Sequence, residues 1–164
     1  METNTLTFTI SFSNLQTAID NFINDLINTY KSFLIRDNKK ASGNLISSIK
    51  SASIQFNNNK ISADISLAKY WKYVEYGRKP GKFPPPNKIS KWIKVKPIKP
   101  RPINGIKPNK KQLTFLISRK IAKKGIQAGN QFSDALDLVW NRHKDNISNA
   151  ISLDLEYNID LIKI

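Results

Sequence analysis

Cysteine is absent from the 164-residue chain, which excludes disulfides, thiolate metal sites and cysteine nucleophiles together. Histidine is nearly absent. His143 stands alone, so no zinc set of His and Cys can be assembled. The six glycines are scattered and form no phosphate-cradling loop. No run of about 20 apolar residues occurs, so no membrane span is expected. The opening Met-Glu-Thr-Asn-Thr lacks the basic and apolar regions of a signal peptide, which predicts an intracellular location. Acids are also scarce, 12 against 27 basic residues. Asp134 and Asp137 lie three apart on a predicted helix, a spacing that suits a shared cation or, more simply, a solvated face. Glu75 paired with Asp64 invites a nuclease reading. Metal nucleases need a clustered acidic set, however, and no further acid follows until Asp134. His143, inside an amphipathic helix with no nucleophile or relay nearby in sequence, is expected to be a partly buried structural residue. The expectation is a protein that is not an enzyme and that carries no metal or cofactor.

At 18.7 kDa the chain fits a single domain, residues 1–164. Folding at this size buries roughly 70% of the unfolded surface, and 16 aromatic residues are available to anchor the core. The net charge of +15 points to a polyanion, an acidic protein or an anionic surface as partner. With 22 Lys against 5 Arg, 23 Ile and 18 Asn, this composition also follows from AT-rich codons, so total charge alone is weak evidence. Its placement is stronger evidence. Residues 69–124 carry 18 basic side chains and one acid, a net +17, while the remaining 108 positions sum to −2. Codon bias would spread evenly along the chain, and this charge does not.

Leu6, Phe8, Ile10 and Phe12 alternate with polar residues, predicting a strand with one buried face. Ser13 with Gln16 suits a capping box, and Leu15 through Leu34 recur at helical spacing, predicting an amphipathic helix over 14–35. Ser42-Gly43-Asn44 opens one or two helical turns. Ile54 and Phe56, an Asn57–Asn59 link, and Ile61, Ala63, Ile65 and Leu67 predict a β-hairpin. The hairpin and an aromatic run, Tyr70 to Tyr76, fill 53–77. All 8 prolines fall between Pro80 and Pro108, so 78–108 is expected to be a basic, proline-rich extended loop. A short helix near 88–95 interrupts it, with Ile89, Trp92 and Ile93 facing the body. Loops this long inside a compact domain are usually functional. Helices are predicted over 109–154, the first opening on Pro108 and ending at Gly125, the second continuing from Phe132. The tail with Leu155, Tyr157, Ile159 and Leu161 fits either a strand or a frayed helix end.

Two surfaces stand out. Tyr70, Trp71, Tyr73 and Tyr76, interleaved with Lys69, Lys72, Arg78 and Lys79, suit a stacking surface for single-stranded nucleic acid. Alternatively, alternate aromatics pack inward and cap the hairpin. Lys88, Lys91, Lys94, Lys96, Lys99, Arg101 and Lys107 can neutralise phosphates without reading bases, giving sequence-independent, salt-sensitive binding. The competing reading docks this loop on an acidic neighbour, with Trp92 and the prolines as a stiff anchor.

In order, the chain presents an amphipathic helix, Ser-Gly-Asn-Leu-Ile-Ser-Ser-Ile at 42–49, and a hairpin. There follow Tyr-Trp-Lys-Tyr-Val-Glu-Tyr-Gly at 70–77, Phe83-Pro84-Pro85, and Ile89-Ser90-Lys91-Trp92-Ile93. Finally Ile121-Ala122-Lys123-Lys124-Gly125 precedes a long helix. Over about residues 14–150 this series resembles the tail-completion, or head–tail connector (neck), proteins of tailed bacteriophages. The departures are Trp71 where a small Ala is usual, and an Ile98–Pro108 insertion. The resemblance implies an α+β fold, a small antiparallel sheet packed against a long N-terminal helix and C-terminal helices, with a long Pro/Lys-rich loop. It also implies a structural virion protein, made in the host cytoplasm, that forms a six- or twelvefold ring around the DNA channel at the head–tail junction. Its partners would be sister copies, other neck, tail or portal-adjacent proteins, and packaged double-stranded DNA, with no membrane. Related folds serve as tail-completion, tail-terminator and neck rings, which leaves the particular ring open.

Cyclic rings join by heterologous interfaces. The expected ring-interface residues are Tyr70, Trp71, Tyr73, Glu75, Tyr76, Arg78, Phe83, Pro84 and Trp92. The expected contacts to DNA or an acidic partner are Lys79, Lys88, Lys91, Lys94, Lys96, Lys99, Arg101 and Lys107. The alternative function is a free, sequence-independent nucleic-acid-binding protein.

Overall fold

A computed structural model describes residues 10–57, 60–96, 98, 100–102 and 105–162. Most of them are helical, with one small antiparallel sheet, consistent with an α+β fold. The elements run α1 (Ser13–Arg36), α2 (Asn44–Ser48), β1 (Lys50–Asn57), β2 (Lys60–Ser66), α3 (Trp71–Glu75), α4 (Pro86–Val95), α5 (Lys110–Lys124) and α6 (Gln131–Ile162).

The frame is an antiparallel pair, α1 against α6. The stripe on α1 buries Leu15, Ile23, Leu26, Ile27, Tyr30 and Leu34, and α6 answers with Ala135, Val139, Ile147 and Ala150. Alanine at 135 and 150 lets the two backbones approach, and each fully buried Leu or Ile adds about 1.5–3 kcal/mol. Phe132 meets Tyr30 edge-on with ring centroids 5.3 Å apart. Leu45 and Ile49 close one side of this core, and Ile54, Ala63 and Ile65 of the hairpin pack against it. In the hairpin Lys50 pairs with Ser66 and Asn57 with Lys60, with a one-residue bulge in β1 between Ser51 and Ile54.

The start of α1 differs from the expected capping box. Ser13 lies inside the helix and makes no cap; the free amides are taken by a carboxylate from the other end of the chain. Asp154 accepts from the Leu15 amide at 2.8 Å and from the Asn14 amide and side chain at 3.1 and 2.8 Å. Asn158 adds a two-way bond with the Ser11 backbone. These long-range bonds hold the tail as helix, so α6 runs on to Ile162 and the described tail residues form no strand. Burial pushes the Asp154 carboxyl upward, but the bonds from Leu15 and Asn14 outweigh it and hold the group below its ordinary value.

Two other expectations shift. Pro108 does not open α5: Asn109 is the N-cap, in a reciprocal capping box with Gln112 at 2.9 Å in both directions. The N-terminal strand falls on Leu6 and Phe8, outside the described residues; Ile10 and Phe12 are exposed. The burial of His143 is as expected. It is partly buried, its Nε2 lies 3.1 Å from Asp25 Oδ2, and Arg142 reaches the same carboxylate at 3.2 Å. Burial raises the Asp25 carboxyl, yet the bonds from His143, Arg142 and Thr29 leave it below its ordinary value.

Candidate docking site on the basic arm

One acid, two glycines and a lysine fasten the basic arm to the frame. In α3 the aromatic run follows a period of three, not two: Tyr70, Tyr73 and Tyr76 point outward, 44%, 62% and 64% exposed, while Trp71 and Val74 turn inward. Trp71 packs on Phe132 at 5.8 Å. Glu75, expected at a ring interface, is fully buried and is therefore withdrawn from the surface. Its carboxylate accepts from the Phe132 amide at 2.8 Å, the Ser133 amide at 3.0 Å and the Ser133 hydroxyl at 2.8 Å. An acid suits this position because the first amides of α6 have no intrahelical partner and the helix end is electropositive. Burial, and then the nearby Glu75 carboxylate, push the Tyr30 hydroxyl up to about 12.

Directly after Glu75 the chain crosses the segment that enters α6. Arg78 and Ile126 exchange two backbone bonds of 2.8 Å. The glycines beside them, Gly77 (φ +67°) and Gly125 (φ +71°), fit only without a side chain. A Cβ on Gly77 would stand 2.2 Å from the Ile126 carbonyl oxygen, and one on Gly125 2.2 Å from that of Arg78. The Glu-Tyr-Gly part of the aromatic motif is thus an internal clasp. Pro84, also expected at an interface, is buried, and the Arg78 guanidinium bonds the Lys82 carbonyl.

Beyond the clasp, Lys79, Lys88, Lys91, Lys94, Arg101 and Lys107 are exposed. Three of these recur every third residue along α4. Lys96 is occupied otherwise, its Nζ donating to the Asn38 carbonyl at 2.6 Å and tying the end of α4 to the end of α1. Lys99 lies outside the described residues. Ile89 and Ile93 are half-buried as expected, but Trp92 stays 39% exposed, at the edge of a cleft of about 190 Å³ shared with Leu34, Tyr70 and Val74.

Between α4 and α5 lies a second, larger hollow of about 530 Å³ that the helical stripe of α5 does not reveal. Phe83 and Phe115, rings 5.9 Å apart and each half exposed, form its aromatic wall; Pro86 adds an apolar side, and Lys110 and Lys111 stand at the rim. Lys110 is held below the ordinary lysine value by desolvation, then by the positive charge of Lys94 beside it. At the lining, the Ser118 hydroxyl is buried and without a hydrogen-bond partner among the described residues. At the far end of the molecule, α6 exposes Leu153, Leu155, Tyr157 and Ile159, each about half accessible.

Among the described residues no group of three or more His, Cys, Asp or Glu is placed to hold a metal, and no helix is long and apolar enough to cross a membrane. No protein-family model, curated protein or solved structure matches this chain.

Proposed function

We propose that this chain is a structural virion protein of a tailed phage, not an enzyme, that forms a six- or twelvefold ring at the head–tail junction. It joins neighbouring rings and surrounds the DNA channel. The observation that carries this reading is the segregation of charge: residues 69–124, net +17, are joined to a remainder of net −2 through a clasp only glycine permits. The order of motifs along the chain supports the same reading. Subunits of +15 closed into a ring repel one another unless DNA or acidic neighbours compensate, so the arm faces packaged DNA or an acidic ring surface. The proline-rich 78–108 segment, stiffened before assembly, is the projecting element that a heterologous interface needs. Exposed Phe83 and Trp92 lie along it and exposed Tyr73 and Tyr76 just before it, side chains of the type that anchor interfaces.

The test is reversal of Lys91, Lys94 and Lys99 to Glu in the parent phage. Particle completion should be blocked while the purified chain keeps its helical circular dichroism; unaltered infectivity would contradict the reading.

A second reading, a free nucleic-acid-binding protein, is favoured by the outward set of Tyr70, Tyr73 and Tyr76 beside Lys69 and Lys72. Filter binding across salt separates the two. A free binder holds duplex or single strands tightly at low salt with a steep salt slope, whereas a chain whose lysines dock on protein binds weakly throughout.

A further inference from the structure

We propose that the α4–α5 hollow of one copy receives the exposed, acidic end of α6 from a second copy, with Tyr157 as the side chain that enters it. This rests on the ring reading above and supplies its contact. The hollow calls for an aromatic group with a polar tip carried by an anionic segment: its wall is Phe83 and Phe115, its unsatisfied hydroxyl is Ser118, and its rim is Lys110 and Lys111. Crowding of Lys94 on Lys110 leaves a cationic pair that an incoming carboxylate relieves.

The end of α6 has the matching properties. Residues 145–162 hold no Lys or Arg and three exposed carboxylates, Asp145, Glu156 and Asp160, the fourth, Asp154, being buried at the start of α1. Tyr157 is 57% exposed, with Glu156 next to it and Leu153 exposed one turn earlier. Tyrosine supplies both the ring for the wall and the hydroxyl for Ser118. Within one molecule the two features sit on separate elements. The hollow is built on the α4–α5 arm, which is clasped near the start of α6, and Tyr157 lies 26 residues from that start, about 39 Å along the helix at 1.5 Å per residue. Complementary patches at opposite ends of one chain make a head-to-tail contact, which closes into a ring when the rotation per step allows it.

The test uses the full-length chain and its mass in solution by light scattering over a concentration series. Tyr157→Ala, and separately Lys110→Glu with Lys111→Glu, should each weaken self-association about tenfold or more, while helical circular dichroism is unchanged. Tyr157→Phe, which keeps the ring and loses the hydroxyl, should fall between Tyr157→Ala and the parent. Combining Lys110→Glu and Lys111→Glu with Glu156→Lys and Asp160→Lys in one chain should restore assembly. An oligomer unmoved by these substitutions overturns the contact and leaves the ring reading standing. A parent chain that stays monomeric at every concentration overturns both. If the Lys110/Lys111 pair changes only duplex DNA binding, the rim belongs to nucleic acid and the contact is again overturned.

Discussion

The frame and the arm of this molecule are built on opposite principles. Between α1 and α6 most buried side chains are apolar, and the helix starts are closed by acids that arrive from distant sequence. In the arm, α4 buries no side chain, α5 buries only Thr114 and Ser118, and aromatic and cationic groups face outward together. Apolar burial is the dominant stabilising term in folding, so stability must reside in the frame. The arm contributes little to it and remains free to present charge. The clasp at Glu75, Gly77 and Gly125 lets one domain hold both.

Substitutions should break this contrast in a graded way. Leu34→Ala, at a position 1% exposed, should cost about 2–5 kcal/mol in urea unfolding, whereas Phe115→Ala should cost less than about 0.5 kcal/mol; equal losses would erase the distinction. Gly77→Ala forces a side chain into a left-handed backbone against a carbonyl and should destabilise by about 1–3 kcal/mol, with α4 and α5 amides exchanging faster than those of α1. Glu75→Gln and Asp154→Asn keep an acceptor but lose the charge at a helix start, and each should lower the unfolding free energy by about 1–2 kcal/mol at neutral pH.

Acid sharpens the same point. Hydrogen bonds from Arg36 and then Gln131 hold the Asp37 carboxyl at about 2, below its ordinary 3.8. A depressed carboxylate stabilises the fold above its ordinary value and loses that contribution as pH falls through the folded one. Stability should therefore decline between pH 3.8 and about 2, and Asp37→Asn should flatten that part of the curve. The smallest effect on stability is expected from Lys88→Glu with Lys91→Glu, within about 0.5 kcal/mol.

The frame was legible in the sequence because an apolar period of 3.6 held over 20 or more residues arises from little besides a helix with one buried face, and alternation marked the hairpin as plainly. What escaped were contacts between residues far apart. Asp154 and Asn158 lie 140 and 147 positions from the backbone groups they bind, and nothing local distinguishes them from solvated polar residues. Ser13 and Gln16 offered a local cap that the distant carboxylate displaced. Glu75 stood out as the lone acid in a basic stretch, which marked it as special without saying that it points inward. In α3, five residues were too few to separate a period of two from a period of three. Phe115 lies off the apolar stripe of α5, so the hollow it walls with Phe83 becomes visible only once α4 and α5 are packed together.

Amide hydrogen exchange on the full-length chain, before and after it assembles, tests the division of labour most directly. Before assembly, α1 and the first half of α6 should exchange only through global unfolding, while α4 and α5 open locally at lower free energy. After assembly, new protection should fall on α4, α5 and the last turns of α6. Uniform protection of the free chain, or new protection confined to the hairpin, would contradict the account.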